Sequence, residues 1–280
     1  MTDLIICGVD GSDATRHVLD TGRWLADGLG AQLVVIRATG PEVEAQVRAE
    51  VDEALGGASA DVRIVKGDAP EVMLDAAKED DAGLVVIGTR GRGALRSALM
   101  GSVSHEVAAR ARRPVVVVPP GAKAPEPAPD SGSVVCGVDG SPQALAAVRV
   151  AQDLATRLGL RLVIVHARQN VAAAMAYRGA RGSTPPVTGQ EDSVAALVDE
   201  VLAQAHAAAG PDAVDVVEPG PPAEVLDQVA GREGAALIVI ATRGAGGVRA
   251  AMLGSVAREL AAHAGRPVVV LSEAAAAQSG

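Results

Sequence analysis

Two glycine-bearing segments of this 280-residue chain have residue types and spacing suited to holding an anion. The first runs Gly88-Thr89-Arg90-Gly91, then nine residues that include Arg92, Gly93 and Arg96, then Gly101-Ser102-Val103-Ser104. Glycines let backbone approach a ligand closely. The stretch after Gly101 reads as a helix start, where unpaired N–H groups and the helix dipole favour a phosphate. Arg90, Arg92 and Arg96 add cations to a chain whose net charge is −9. The second segment, Gly8-Val9-Asp10-Gly11-Ser12, ends an apolar run and brings one carboxylate. Taken alone, the glycines could simply make a tight turn, with Ser102 as a helix N-cap.

Repetition argues for the chemical reading. Cys7-Gly8-Val9-Asp10-Gly11-Ser12 returns as Cys136-Gly137-Val138-Asp139-Gly140-Ser141, 129 positions on. Thr89-Arg90-Gly91 returns as Thr242-Arg243-Gly244, and Gly101-Ser102-Val103 as Gly254-Ser255-Val256, both 153 positions on. Arg113-Pro114-Val115-Val116-Val117 returns as Arg266-Pro267-Val268-Val269-Val270 at the same spacing. One chain therefore carries two copies of one domain, 1–119 and 133–273. The second copy has an insertion, about 169–190, that reads as a surface loop. A proline-rich linker, 120–132, joins the copies, and 274–280 reads as a flexible tail.

The elements that must position these segments follow from periodicity. The runs Leu4–Val9, Leu33–Ile36, Val62–Val65, Leu84–Ile87 and Val115–Val118 are rich in β-branched residues and mostly lack polar alternation, which suits strands covered on both faces. Val18, Gly22, Leu25 and Leu29 recur at helical spacing, with Gly28 and Gly30 as breakers. Glu71–Asp80 and Ser102–Arg112 read as later helices. Strand alternating with helix predicts, for each copy, an open, Rossmann-like α/β sheet of five mostly parallel strands. Ligands in such sheets bind beyond the carboxyl ends of the strands. Both candidate segments are expected at that edge. The short apolar strand that ends each copy would template aggregation if left bare. Pairing the two within the chain, as a pseudo-dimer, removes that edge.

Composition excludes several classes. With no Phe, one Trp and one Tyr there are no aromatic platforms for single-stranded nucleic acid, and the acidic balance disfavours a phosphate-backbone binder. No apolar run is long enough for a membrane span, and the start lacks a basic signal-peptide region. Cys7 and Cys136 sit in apolar runs and read as buried reduced thiols of a cytoplasmic protein. The histidines show no metal-ligand spacing with cysteines or carboxylates.

Gly88-x2-Gly91-x9-Gly101-Ser102 resembles the nucleotide-binding pattern G-x2-G-x9-G-[S/T] of the universal stress protein family, position for position. The Gly-Val-Asp-Gly-Ser opening, the Arg-Pro-Val-Val-Val ending and Gly220-Pro221-Pro222-Ala223-Glu224 are similar to that family too; Gly67-Asp68-Ala69-Pro70-Glu71 is a looser version. The resemblance implies bound ATP, with Mg2+ held through the phosphates, and a regulatory role in stress survival. It implies that Asp10 and Asp139 lie near the ribose and adenine, beside Gly8 and Gly137. Ala38 and Ala167 would read adenine through their backbone. The ribose and phosphates would meet Gly88, Thr89, Arg90, Gly91, Arg92, Gly93, Gly101, Ser102, Val103 and Ser104. Ala241, Thr242, Arg243, Gly244, Gly254, Ser255 and Val256 would form the second copy of that loop. It further implies intrachain domain pairing and leaves room for a homodimer; the regulatory protein partner is not indicated.

Ala241 departs from the pattern, which wants glycine there. A methyl near the ligand, and fewer arginines in the second loop, make the first site the tighter one. If the position needs positive φ, alanine is disfavoured as well.

Other nucleotide enzymes fit poorly. There is no G-x4-G-K-[S/T] sequence, and Gly91-Arg92-Gly93-Ala94-Leu95-Arg96 lacks the third glycine of a dinucleotide fingerprint and follows the fourth strand rather than the first. Three readings stay open. The first is a nucleotide-binding sensor or regulator with negligible turnover. The second is a slow ATP-hydrolysing or autophosphorylating enzyme using Ser102 or Ser104. The third, which the intact first motif disfavours, is a scaffold that has lost its nucleotide. His105 is close to the loop in sequence, but its place in the helix does not aim it there.

Overall fold

The computed structural model describes residues 3–89, 100–122, 132–168, 190–242 and 253–278. In the first copy the order is β1 (Leu4–Gly8), α1 (Ala14–Leu29), β2 (Gln32–Ala38), α2 (Glu44–Leu55), β3 (Asp61–Val65), α3 (Ala69–Glu79), β4 (Leu84–Gly88), α4 (Ser102–Arg110) and β5 (Val115–Val118). In the second it is β6 (Ser133–Gly137), α5 (Pro142–Leu158), β7 (Arg161–Arg168), α6 (Gln190–Ala209), β8 (Val214–Pro219), α7 (Pro222–Arg232), β9 (Ala235–Ala241), α8 (Ser255–His263) and β10 (Val268–Leu271). A short helix, α9 (Glu273–Ala276), follows.

All ten strands form one sheet, in the order β3-β2-β1-β4-β5-β10-β9-β6-β7-β8. Pairing is parallel within each copy and antiparallel where β5 meets β10, with Val116 opposite Val269. The expected open sheets and their pairing within the chain are both present. Because the two halves run in opposite directions, the carboxyl ends of their strands face opposite edges of the sheet.

Period-two alternation explains why the strands are apolar throughout. Ile5 and Cys7 face the layer holding α1, α2 and α5, whereas Ile6 faces the layer of α3, α4 and α7. Both cores draw on residues of both copies, so they are continuous across the junction. Val115–Val118 and Val268–Leu271 are buried along their whole length.

Side chains tie the copies further. Ser272 Oγ donates to the Ala111 carbonyl at 2.5 Å and accepts from the Ala275 amide at 2.9 Å. That cap starts α9, whose Ala275 and Ala276 are buried. Residues 274–276, expected as a flexible tail, are therefore packed. Ala122, assigned to the linker, is also buried; residues 123–131 lie outside the described residues. Most of the insertion does too, up to Gln190, where α6 begins.

Several boundaries differ from the sequence expectation. Gly28 lies inside α1, and Gly30 alone ends it, in the left-handed conformation with φ 64°. Helix α2 has no counterpart in the sequence reading. Its Val47, Val51 and Leu55 are buried at four-residue spacing, and Glu50 pairs with the buried Arg37 at 3.1 Å.

Gly22 is a packing glycine. A methyl there would lie 2.2 Å from Cys7 Sγ. Gly22→Ala should therefore destabilise the chain by about 1–3 kcal/mol through overpacking. Cys7→Ala in the same chain should recover most of the loss, read as urea midpoints at constant m. Equal losses with and without the Cys7 change would place the clash elsewhere. Both cysteines are free and buried. Burial pushes the Cys7 thiol far up and that of Cys136 to about 12, so neither ionises near neutral pH.

Candidate functional site

In the first copy β1 and β4 are neighbours although β2 and β3 lie between them in the chain, so that β2 and β3 flank the pair on one side and β5 on the other. Strand order reverses at that point, which leaves a crevice beyond their carboxyl ends. The crevice has a volume of about 450 Å³. Gly8 and Asp10 reach it from the end of β1, Ala38 from β2, and Gly88 from β4. Gly101, Ser102, Val103 and Ser104 reach it from the start of α4. The fold thus brings these eight expected residues to one place.

The crevice combines groups of opposite electrostatic character. Helix α4 is preceded by Gly101 at its N-cap, which has extended backbone (φ −64°, ψ 156°) and makes no side-chain cap bond. Ser102, expected as an N-cap, is instead the first helical residue and is exposed. The first N–H groups of α4 lack an intrahelical acceptor and carry the positive end of the helix dipole. Asp10 also lines it, half-buried, with Oδ1 accepting from the Ser12 amide at 3.0 Å. Gly11 takes positive φ (73°) to turn the chain here, and its amide donates to Thr15 Oγ1 at 3.1 Å. Much of the wall is apolar, with Val18, Ile36, Met73 and Ile87. Such a space accepts a flat or apolar group against these walls, hydrogen-bond donors near Asp10, and an anion at α4.

Sequence reasoning missed Ala14, Thr15, Val18, Ala69 and Met73 as lining residues. The first three lie on the crevice face of α1, and their stripe is indistinguishable from a core stripe in sequence. Met73 is explained by Gly8, because a methyl at Gly8 would lie 2.9 Å from Met73 Cε. Met73 Cε is the far end of a flexible side chain and can yield, so packing alone does not demand glycine at position 8.

Thr89 is buried behind the crevice, its amide donating to the Val118 carbonyl at 3.2 Å. Ser104 is buried, and its hydroxyl donates to the Gly88 carbonyl at 2.5 Å. Its proton is thus directed at a backbone carbonyl, which cannot serve as a general base, and Ser102 is the more exposed of the two hydroxyls. His105 is not among the residues that line the crevice. Arg90, Gly91, Arg92, Gly93 and Arg96 lie outside the described residues, as do Arg243 and Gly244.

The second copy repeats the scaffold. Asp139 Oδ1 accepts from the Ser141 amide at 3.0 Å, and α8 begins at Gly254 with φ −61° and no side-chain cap. Gly137 and Ala167 lie at the ends of β6 and β7, and Ser255 and Val256 open α8. Thr242 is buried like Thr89. Ala241 ends β9 opposite Leu271. Among the described residues Asp81 is the one non-glycine residue with positive φ, and Gly88 is not among the positive-φ glycines. Backbone strain therefore does not disfavour Ala241. Its methyl matters only through space.

Comparison with known proteins bears on this architecture. The model of the universal stress protein family matches residues 37–119 and 131–272, which leaves Gly8 and Asp10 outside the first match. A universal stress protein of Mycobacterium bovis is 34% identical over 191 residues, covering 68% of this chain. The chain spans 62% of that relative's length. Another, from Mycobacterium tuberculosis, is 29% identical over 298 residues, with 96% of each chain covered. A solved universal stress protein from Archaeoglobus fulgidus aligns over 97% of this chain and 99% of its own, with a TM-score of 0.67 at 19% identity; it shares the fold.

Proposed function

Taking as premise that the chain belongs to the universal stress protein family, with two copies of its domain, we propose that the first copy is an adenine-nucleotide receptor. Its ligand is ATP, and the role is that of a regulator or sensor in a stress response rather than a catalyst of turnover. One observation carries this reading: a helix N-terminus without a side-chain cap and a carboxylate both line one largely apolar crevice. Phosphates would meet the N–H groups of Ser102 and Val103, where the dipole favours negative charge. Ribose hydroxyls would donate to Asp10. The base would lie among Val18, Ile36 and Met73, near the Ala38 backbone.

Among the described residues no group of three His, Cys, Asp or Glu could hold a metal ion. Any Mg2+ would therefore be held through the phosphates. Among the described residues the lining carries one carboxylate, Asp10, and no histidine or lysine. This favours retention of nucleotide over its hydrolysis. No helix of the described residues is long and apolar enough to cross a membrane, and the two buried free thiols suit the cytoplasm.

The test is to purify the full chain natively, denature it, and identify the released small molecules by chromatography and mass spectrometry. Adenine nucleotide is expected, with most of the ATP unhydrolysed in a single-turnover incubation. Recovery of no nucleotide, together with no binding on titration with ATP, would overturn the reading. Rapid conversion to ADP would instead favour the slow-enzyme alternative, with Ser102 as the residue to substitute next.

A further inference from the structure

We propose that Ser104 is a positioning residue for phosphate binding in the first copy, acting through Gly88 rather than on the ligand. This role rests on the nucleotide reading above. Two hydrogen bonds hold the strand end and the helix start together, and a third ties the strand end to β5. Ser104 Oγ donates to the Gly88 carbonyl at 2.5 Å, the Gly101 amide donates to the Thr89 carbonyl at 2.6 Å, and the Thr89 amide donates to the Val118 carbonyl at 3.2 Å. Gly88 and Gly101 both line the crevice. The distance between them sets where the free N–H groups of Ser102 and Val103 stand relative to the end of β4.

A serine near a helix start commonly bonds to its own turn. Ser104 does otherwise: its hydroxyl reaches back sixteen positions to the strand. It is 5% exposed, so water competes little for the bond.

The second copy serves as an internal comparison. Its two backbone bonds are kept, Gly254 amide to Thr242 carbonyl at 2.6 Å and Thr242 amide to Leu271 carbonyl at 2.7 Å. Ala257 stands in place of Ser104, however, and Ala241 in place of Gly88. The backbone junction is thus common to both copies, while the hydroxyl tie belongs to the first alone. A phosphate-binding helix start gains affinity from being held in place before the ligand arrives. The first copy has one more tie for that purpose.

The test uses the full chain with the second site closed by Gly254→Asp, which places a carboxylate at that helix start. Titration calorimetry then compares ATP with adenosine, which lacks phosphates. Ser104→Ala should weaken ATP by about tenfold and adenosine by less than about twofold. Ser104→Thr, which keeps the hydroxyl, should restore ATP binding. In the ligand-free chain, the Gly101 amide should exchange hydrogen faster in Ser104→Ala than in the parent. An unchanged ATP affinity, or equal losses for ATP and adenosine, would overturn the positioning role while leaving the nucleotide reading intact. A parent chain that binds no ATP would overturn that reading first, and this role with it.

Discussion

A chain carrying both Gly101→Asp and Gly254→Asp should purify free of nucleotide and melt no lower than the parent. Each glycine holds the N-cap position of its helix with extended backbone and no side-chain cap, φ −64° and −61° respectively. Aspartate is a preferred N-cap in that geometry, because its carboxylate accepts from the second or third helical amide. Relative to glycine this cap is worth about a few tenths of a kcal/mol in favour of the fold. The same carboxylate would occupy the N–H groups proposed to receive phosphate, and it would repel that phosphate. An affinity loss on the order of a hundredfold per site, ~2.7 kcal/mol, is expected. Released nucleotide and thermal melting of the ligand-free chain are the two measurements. Parental amounts of ATP in the double variant would mean that the phosphates do not meet α4 and α8. A large fall in melting temperature would mean that the glycines are needed for the fold itself.

The second large effect concerns the junction of the copies. Val269 is fully buried opposite Val116, where β10 pairs with β5. Val269→Asp would place a carboxylate in the continuous core with no partner among its valine neighbours. Burial of that kind raises the carboxyl pKa and costs about 4 kcal/mol or more. Val269→Ala, which only removes methyl groups, should cost about 2 kcal/mol. Urea unfolding should therefore show two graded losses, and the aspartate chain should regain stability as pH falls and its carboxyl becomes protonated. Because both cores cross this junction, one cooperative transition is expected in the parent chain. Two independent transitions, with only the second copy affected by Val269→Asp, would show that the halves are energetically separate.

Much of the fold was legible in sequence because its signals are local or duplicated. Val115–Val118 is a strand by composition alone, and its near-copy at Val268–Leu271 identified the repeat. An apolar edge strand that must be covered predicted the intrachain pairing, since leaving unpaired backbone groups on such an edge is unfavourable. Helix α2 was harder to see because its apolar face is narrow: Val47, Val51 and Leu55 stand among charged residues, and Glu50 owes its place to the buried Arg37 on a neighbouring strand. A pair formed between distant segments leaves no periodic trace.

For the candidate site the division is similar. The spacing of Gly88, Gly101 and Ser102, and the carboxylate of Asp10, could be read in order along the chain. Their convergence required the parallel sheet to set β1 beside β4. Sequence offered ligand contact or strained backbone as reasons for the glycines. The structure sets Gly8 against the flexible end of Met73 and removes strain as an objection to Ala241, because φ and side-chain clearance are set by neighbours far away in sequence. Ser104 shows the same limit. Its hydroxyl was read as chemistry because a serine beside a glycine-rich loop is ambiguous, and only the folded chain brings the Gly88 carbonyl within 2.5 Å of it. Residue types and spacing determined which groups could bind an anion; tertiary contacts decided which face it and which hold the others in place.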